Sequence, residues 1–266
     1  MSSEPVSPLP RSRVERYNTL FQRGRYQEAL DGFLSLLSEP NGVTMHANIG
    51  YCYRALGEHQ EAVKHFEAYL EEFPFRQHAW KAMTYCCYEL KDYEGMTKSA
   101  REAIKWDIQK GTFDDYPWQQ LATAHFLVDD MSTSLKAARK ALGINPQNAF
   151  AAYYEACALF AIDQGAELDD LSLLPEKPPR EEAVHKLALA LKLRPTLEGD
   201  VLSEGHVSAL LAEAQELIPL LDQNSDDTPH SEATEGAEET PPTASSPATH
   251  ETAVAPPQSA QETEEP

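Results

Sequence analysis

The sequence lacks several features that common protein classes require. No run of 18 apolar residues occurs, so a membrane-spanning helix is not expected. The first ten residues include three prolines and no continuous apolar segment of the kind that a secretory signal needs. Only four cysteines are present, which fits a reducing compartment better than a disulfide framework. We therefore expect a cytoplasmic protein without membrane insertion.

Positive charge is also scarce. The chain has 22 Lys and Arg against 43 Asp and Glu, a formal net charge of −21 at pH 7. Such a chain repels the phosphate groups of DNA and RNA. Nucleic-acid binding is therefore not expected.

The C-terminal segment 222–266 has a composition unlike that of the rest of the chain. It carries 11 acidic residues among Pro, Ser, Thr and Ala, and it has no Lys, Arg or aromatic residue. Its apolar area is too small to offset an ordering cost of about 1 to 2 kcal/mol per residue. The composition predicts a disordered acidic tail, and the N-terminal segment 1–9 is predicted to be disordered as well. One hypothesis is that the tail occupies a binding groove on the rest of the chain.

The sequence also lacks the local patterns of common catalytic and metal sites. There is no Gly-rich phosphate loop, no Gly-x-Ser-x-Gly elbow and no His-Glu-x-x-His sequence. Cys86 and Cys87 are adjacent, which is not the spacing of a zinc site. Adjacent acids such as Glu71 and Glu72 point in different directions on a helix. We predict a protein that is not an enzyme and that has no cofactor and no metal ion.

An internal repeat supplies most of the information on the fold. In the stretch 43–76, small and apolar residues fall at fixed positions of a 34-residue unit. They are Gly50, Tyr53, Leu56, Gly57, Ala62, Phe66, Tyr69 and Pro74. These residues and their spacing resemble a tetratricopeptide repeat.

The spacing has a mechanical explanation. Apolar residues three and four apart form one stripe on each of two successive helices, and the two stripes pack together. Gly57 can end the first helix, Ala62 allows close approach of the second, and Pro74 stops it. The unit is predicted to be an antiparallel helix hairpin.

Four further units share this register, at 10–42, 77–110, 115–148 and 149–195, the last interrupted by an insert at 164–180. An amphipathic stretch at 203–221 follows and is predicted to be a capping helix. The resemblance implies an all-α fold, a right-handed α-solenoid of about five helix hairpins with a C-terminal cap, within residues 10–221.

The resemblance also implies where a partner binds. In tetratricopeptide proteins the first helix of each hairpin lines a concave groove, and the matching positions here are rich in aromatic side chains, which favour partner binding. The alternative is that these side chains pack between neighbouring hairpins. The matching residues are Asn18, Phe21, Tyr51, Arg54, His78, Lys81, Tyr85, Tyr88, Tyr116, Gln119, Thr123, Phe126, Phe150, Tyr153 and Phe160.

Some members of the family grip a C-terminal carboxylate with a set of Lys, Asn and further basic residues. The matching positions here hold two of the expected asparagines, Asn18 and Asn48, so Asn48 joins the candidate groove residues. Val14 replaces the lysine, and His78 and Ala82 stand at the two basic positions. Without fixed cations the charge-assisted hydrogen bonds are missing, so this mode of binding is not expected.

The predicted function is that of a non-catalytic scaffold or adaptor that binds a protein or peptide of unknown identity. Two alternatives remain open at this point: a chaperone or assembly factor for client proteins, and a regulatory subunit of an enzyme. Pairing of two copies through terminal hairpins is a further alternative.

Overall fold

We describe the fold from a computed structural model, which covers residues 11–223. The prediction of a disordered segment at 1–9 lies outside these residues. So does the prediction for the acidic tail, apart from its first two positions.

The described residues form an all-α fold, as the sequence predicts. Twelve α-helices are joined by short turns and three single 3-10 turns. The α-helices are α1 (Arg11–Gln22), α2 (Tyr26–Leu36), α3 (Met45–Ala55), α4 (His59–Glu72), α5 (Gln77–Glu89), α6 (Tyr93–Lys110), α7 (Asp115–Leu127), α8 (Met131–Ile144), α9 (Ala149–Asp163), α10 (Pro179–Leu193), α11 (Leu197–Glu204) and α12 (Leu211–Gln223).

The helices stack as a solenoid of antiparallel hairpins. Each odd-numbered helix from α1 to α9 is the first helix of a hairpin and packs on the even-numbered helix that follows it. The first helices also contact one another, α3 with α5, α5 with α7 and α7 with α9, whereas the second helices of successive hairpins approach less closely. The stack therefore curves toward the first helices, and we call the side that they form the concave face.

Small residues allow the two helices of a hairpin to approach closely. Gly50 of α3 faces Phe66 of α4, and a β-carbon at Gly50 would lie 2.8 Å from the ring atom Cε1 of Phe66. Ala62 and Phe66 are fully buried in this contact. Between the two helices, Gly57 adopts φ +81, a left-handed conformation that suits glycine and reverses the chain.

The insert at 164–180 folds back onto α8. Its backbone N–H at Asp169 donates to the Ser132 hydroxyl at 2.8 Å, and the Leu173 carbonyl accepts from Nη1 of Arg139 at 2.7 Å. The Asp170 carboxylate lies 3.1 Å from Lys136 Nζ. The insert is thus held by polar contacts to one helix and carries a single 3-10 turn at Leu171–Leu173.

The C-terminal end differs from the single helix predicted at 203–221. The segment is divided because Gly205 has φ +75 and ends α11. The next helix, α12, packs against α10 and covers the end of the stack. Val201, Val207, Leu210 and Ala214 are buried in this region, which explains how the apolar end is shielded from water.

Candidate functional site

The structure divides the predicted groove residues into an exposed and a buried set. Those that keep partial exposure are Asn18, Asn48, Arg54, His78, Lys81, Tyr85, Tyr88, Tyr116, Phe150 and Phe160. Those that are buried are Phe21, Tyr51, Gln119, Thr123, Phe126 and Tyr153. The buried set packs between helices, as the alternative interpretation predicts, so a ligand on the concave face would meet mainly the exposed set.

Tyr51 shows why a residue in the groove register becomes buried. Its ring packs edge-on against Phe66 at a centroid distance of 5.1 Å. Its hydroxyl donates to the backbone carbonyl of His78 on the next hairpin at 3.0 Å. Tyr51 therefore joins two hairpins and leaves little surface for a ligand.

Arg54 lies between the second and third hairpins on the concave face. Its Cζ atom is 5.2 Å from the ring centroid of Tyr51 and 5.7 Å from that of Tyr85. Its Nε is shielded from solvent and has no hydrogen-bond partner. No carboxylate of the described residues pairs with the guanidinium. We call Arg54, Tyr51 and Tyr85 the Arg54 site.

Other polar groups on this face are already engaged with one another. The Asn48 side chain donates to Oδ1 of Asn18 at 3.0 Å, which joins the first two hairpins. Lys81 pairs with the Asp114 carboxylate at the start of the fourth hairpin. The amide groups retain further hydrogen-bonding capacity, whereas the charge of Lys81 is neutralised.

The far end of the concave face is covered by the chain itself. The Tyr153 hydroxyl donates to Oε2 of Glu204 at 2.7 Å, and the His206 ring meets the Phe126 ring edge-on at 4.9 Å. Sequence reasoning missed Glu204 and His206 as neighbours of this face, and no local pattern signals a contact across 51 residues. The open part of the face is formed by α1, α3 and α5.

Two concavities lie near the C-terminal end. One of about 300 Å³ is lined by Phe126, Phe160, Cys157 and His206, so it holds two of the predicted groove residues. The other, of about 640 Å³, lies between α10 and α12 and is lined by Val184, Leu217 and Leu220 with several glutamates.

The described residues offer no cluster of three or more His, Cys, Asp or Glu side chains that could hold a metal ion. The four cysteines are free and buried. Burial raises the pKa of the thiols of Cys52, Cys86 and Cys87 to about 12, which disfavours the reactive thiolate. Within residues 11–223, no helix combines the length and apolar character needed to cross a bilayer.

Comparison with known families identifies the repeat. Residues 48–75 match the model of the tetratricopeptide repeat. The chain contains a tetratricopeptide repeat. The match falls on the second hairpin, the unit in which the sequence shows the tetratricopeptide pattern most fully. A comparison with curated proteins finds no match.

Solved structures share this helical fold. The crystal structure of MamA protein superposes with a TM-score of 0.56 at 14% identity, over 71% of this chain and 96% of that one. MamA from Desulfovibrio magneticus RS-1, residues 41 to the end, gives a TM-score of 0.56 at 15% identity, over 69% and 96%. At these identities the similarity shows the fold alone.

Proposed function

We propose that the chain is a non-catalytic interaction scaffold that binds a segment of another protein along α1, α3 and α5. The observation that carries this proposal is the Arg54 site. A guanidinium held between two tyrosine rings, with no counter-ion among the described residues, is a ready hydrogen-bond donor for a ligand carboxylate or carbonyl. A tetratricopeptide fold supports protein binding in general.

The neighbouring exposed residues extend this site along the face. Asn18 lies on α1, Asn48 lies on α3, and Tyr85 and Tyr88 lie on α5. Tyrosine offers a large contact area at low cost in side-chain entropy. Since α11 and the turn after it cover the other end, the ligand is expected to contact the first three hairpins and to leave Phe126 and Tyr153 untouched.

A capture experiment with matched variants tests the proposal. The baits are the wild-type chain, Arg54→Gln on α3 and Arg101→Gln on the second helix α6, where Arg101 is exposed. Both changes remove one guanidinium, and circular dichroism checks that all baits are equally helical. A protein retained by the wild type and by Arg101→Gln but lost by Arg54→Gln supports the scaffold proposal. Equal recovery by all three baits contradicts it.

The cytoplasmic location and the pairing of two copies remain predictions. Four buried free thiols support a reducing compartment. A dimer through the terminal hairpins would be detected by sedimentation of the purified chain at several concentrations.

A further inference from the structure

The Arg54 site lacks a counter-ion among the described residues, and the same chain carries an acidic segment that can supply one. We propose that the C-terminal segment, through Glu238 to Pro242, occupies the Arg54 site of its own molecule and competes there with the protein ligand. This inference rests on the proposed function in that both ligands use the same face.

The geometry of the Arg54 site fits a carboxylate. Contacts of the guanidinium with the rings of Tyr51 and Tyr85 restrict its orientation, so little side-chain entropy remains to be lost on binding. Burial raises the pKa of the nearby Tyr116 hydroxyl to about 12, and the positive charge of Arg54 acts against this rise. The charge of Arg54 thus acts on Tyr85 and Tyr116, on which the carboxylates of Glu89 and Asp114 act in the opposite direction. A carboxylate that accepts two parallel hydrogen bonds from a guanidinium forms a strong charge-assisted pair.

The distribution of charge along the solenoid directs an acidic segment toward this end. Residues 11–92 carry 10 basic and 11 acidic residues, which is nearly neutral. Residues 93–223 carry 12 basic and 21 acidic residues, a net charge of −9. The second half of the solenoid repels an acidic tail, whereas the hairpins around Arg54 do so only weakly.

The segment offers two kinds of group that match the site. Glu238 and Glu239 supply carboxylates, and Pro241 and Pro242 follow within three residues. Proline favours an extended backbone and packs well on aromatic rings, which is how proline-rich segments bind aromatic-lined grooves. The carboxylates match Arg54, and the prolines match the rings of Tyr85 and Tyr88.

The tail is long enough to reach. Glu238 lies 15 positions after Gln223, and an extended chain of that length spans about 50 Å at roughly 3.3 Å per residue. The tail begins after Gln223 of α12, which packs against α10 of the fifth hairpin. The second and fifth hairpins are three steps apart along the stack, or about 30 Å at roughly 8 to 10 Å per step. A tethered ligand of this kind has an effective concentration in the millimolar range, so even weak contacts suffice for occupancy.

Paramagnetic relaxation in the full-length chain tests the inference. A nitroxide is attached to Ser245→Cys, close to the proposed contact. The four native thiols are buried and carry raised pKa values, so they react slowly with the label. We expect loss of amide signal intensity in α3 and α5, recovery of that intensity in Arg54→Gln, and no recovery in the control Arg101→Gln.

Three outcomes overturn the inference. Unchanged intensities in α3 and α5 show that the tail does not occupy the site. Intensity loss that persists in Arg54→Gln shows contact without the proposed pairing. The third experiment mixes nitroxide-labelled chains of natural isotope content with ¹⁵N-enriched chains that carry no nitroxide. Intensity loss in this mixture shows that the tail of a second copy is the ligand. If the first outcome is found while the capture experiment still depends on Arg54, the scaffold proposal stands and the tail inference fails.

Discussion

The Nδ1 atoms of His46 and His65 lie 2.8 Å apart, between the two helices of the second hairpin. At this distance one imidazole donates a hydrogen bond to the other, so only one of the two Nδ1 atoms can carry a proton. The His65 ring also stacks on Tyr53 at a centroid distance of 5.4 Å. The pair thus joins α3 and α4 only while at least one ring is neutral.

This pair predicts a stability that decreases with acidification. Burial lowers the pKa of both imidazoles; at His65 the neighbouring His46 and the positive Lys64 act in the same direction, and Glu61 opposes them. Below pH 6.5 the unfolded chain therefore binds more protons than the folded chain does. The stability that the neutral pair contributes is lost as the pH falls from 6.5 through the lowered pKa values of the two histidines in the folded chain. Each extra proton bound by the unfolded chain lowers the free energy of unfolding by up to about 1.4 kcal/mol per pH unit.

Urea unfolding of the wild type and of His65→Gln between pH 5 and pH 8 measures this effect. We expect the difference between the two chains to shrink or reverse below pH 6.5, because glutamine cannot be protonated there. His185→Gln serves as the control, since His185 lies on α10 far from the pair in sequence. A difference that is constant across this pH range would show that the pair is not protonation-sensitive.

Arg139 is predicted to hold the insert on the solenoid. Its Nε bonds to the buried Glu155 at 2.9 Å, and its Nη1 donates to the Leu173 carbonyl at 2.7 Å. Arg139→Met keeps the apolar stem and removes both bonds, while Lys186 at 3.0 Å still pairs with Glu155. We expect a loss of about 1 to 3 kcal/mol and faster cleavage of the insert by a protease.

Lys140→Met provides the matched control for the insert, because Lys140 is exposed and adjacent in sequence. Limited proteolysis followed by mass spectrometry locates the cleavage sites. Equal cleavage of residues 164–178 in the two variants would mean that Arg139 does not hold the insert.

The helical hairpins could be predicted from the sequence because their signals are local. Gly57 marks a turn and Pro74 follows the end of α4, and each is separated from its partners by a fixed number of residues. The division of the C-terminal segment at Gly205 was not predicted, since apolar spacing continues on both sides of that glycine. The polar contacts of the insert were also not predictable, because Ser132 and Asp169 are 37 residues apart.

For the candidate site, the register predicts which face a residue occupies and not how deep it lies. Tyr51 and Arg54 are both placed on the concave face by the repeat, yet Tyr51 is buried and Arg54 is partly exposed. The difference arises from the neighbouring hairpin, since Tyr51 reaches the carbonyl of His78. Glu155 carries a signal that the sequence does show: it is a charged residue in the middle of the largely apolar helix α9, and it is buried with two cationic partners.

The bond between Tyr153 and Glu204 is predicted to keep α11 over the far end of the concave face. Tyr153→Phe removes this bond of 2.7 Å and leaves the buried ring in place. Because Glu204 is exposed and regains water, we expect a modest loss of about 1 kcal/mol. Hydrogen exchange should increase at residues 197–207 and stay unchanged in α3.

Glu204→Gln is the comparison for this bond, since its amide oxygen can still accept from the Tyr153 hydroxyl. We expect exchange rates close to those of the wild type in that variant. Increased exchange across all helices of Tyr153→Phe would indicate global destabilisation and would contradict a local role.

Two glycines in helices are predicted to respond in opposite directions to the same substitution. In Gly50→Ala the new β-carbon meets three ring atoms of Phe66 at 2.8, 2.9 and 3.0 Å, and the Phe66 side chain is fully buried. Overpacking costs about 1 to 3 kcal/mol, which exceeds the gain of up to about 1 kcal/mol from the better helix propensity of alanine. In Gly143→Ala no atom lies within 4 Å, so only the gain applies and the chain should become slightly more stable. Thermal unfolding of both variants measures the two changes in stability. If contact with the Phe66 ring causes the loss in Gly50→Ala, combining that change with Phe66→Leu should recover part of the lost stability.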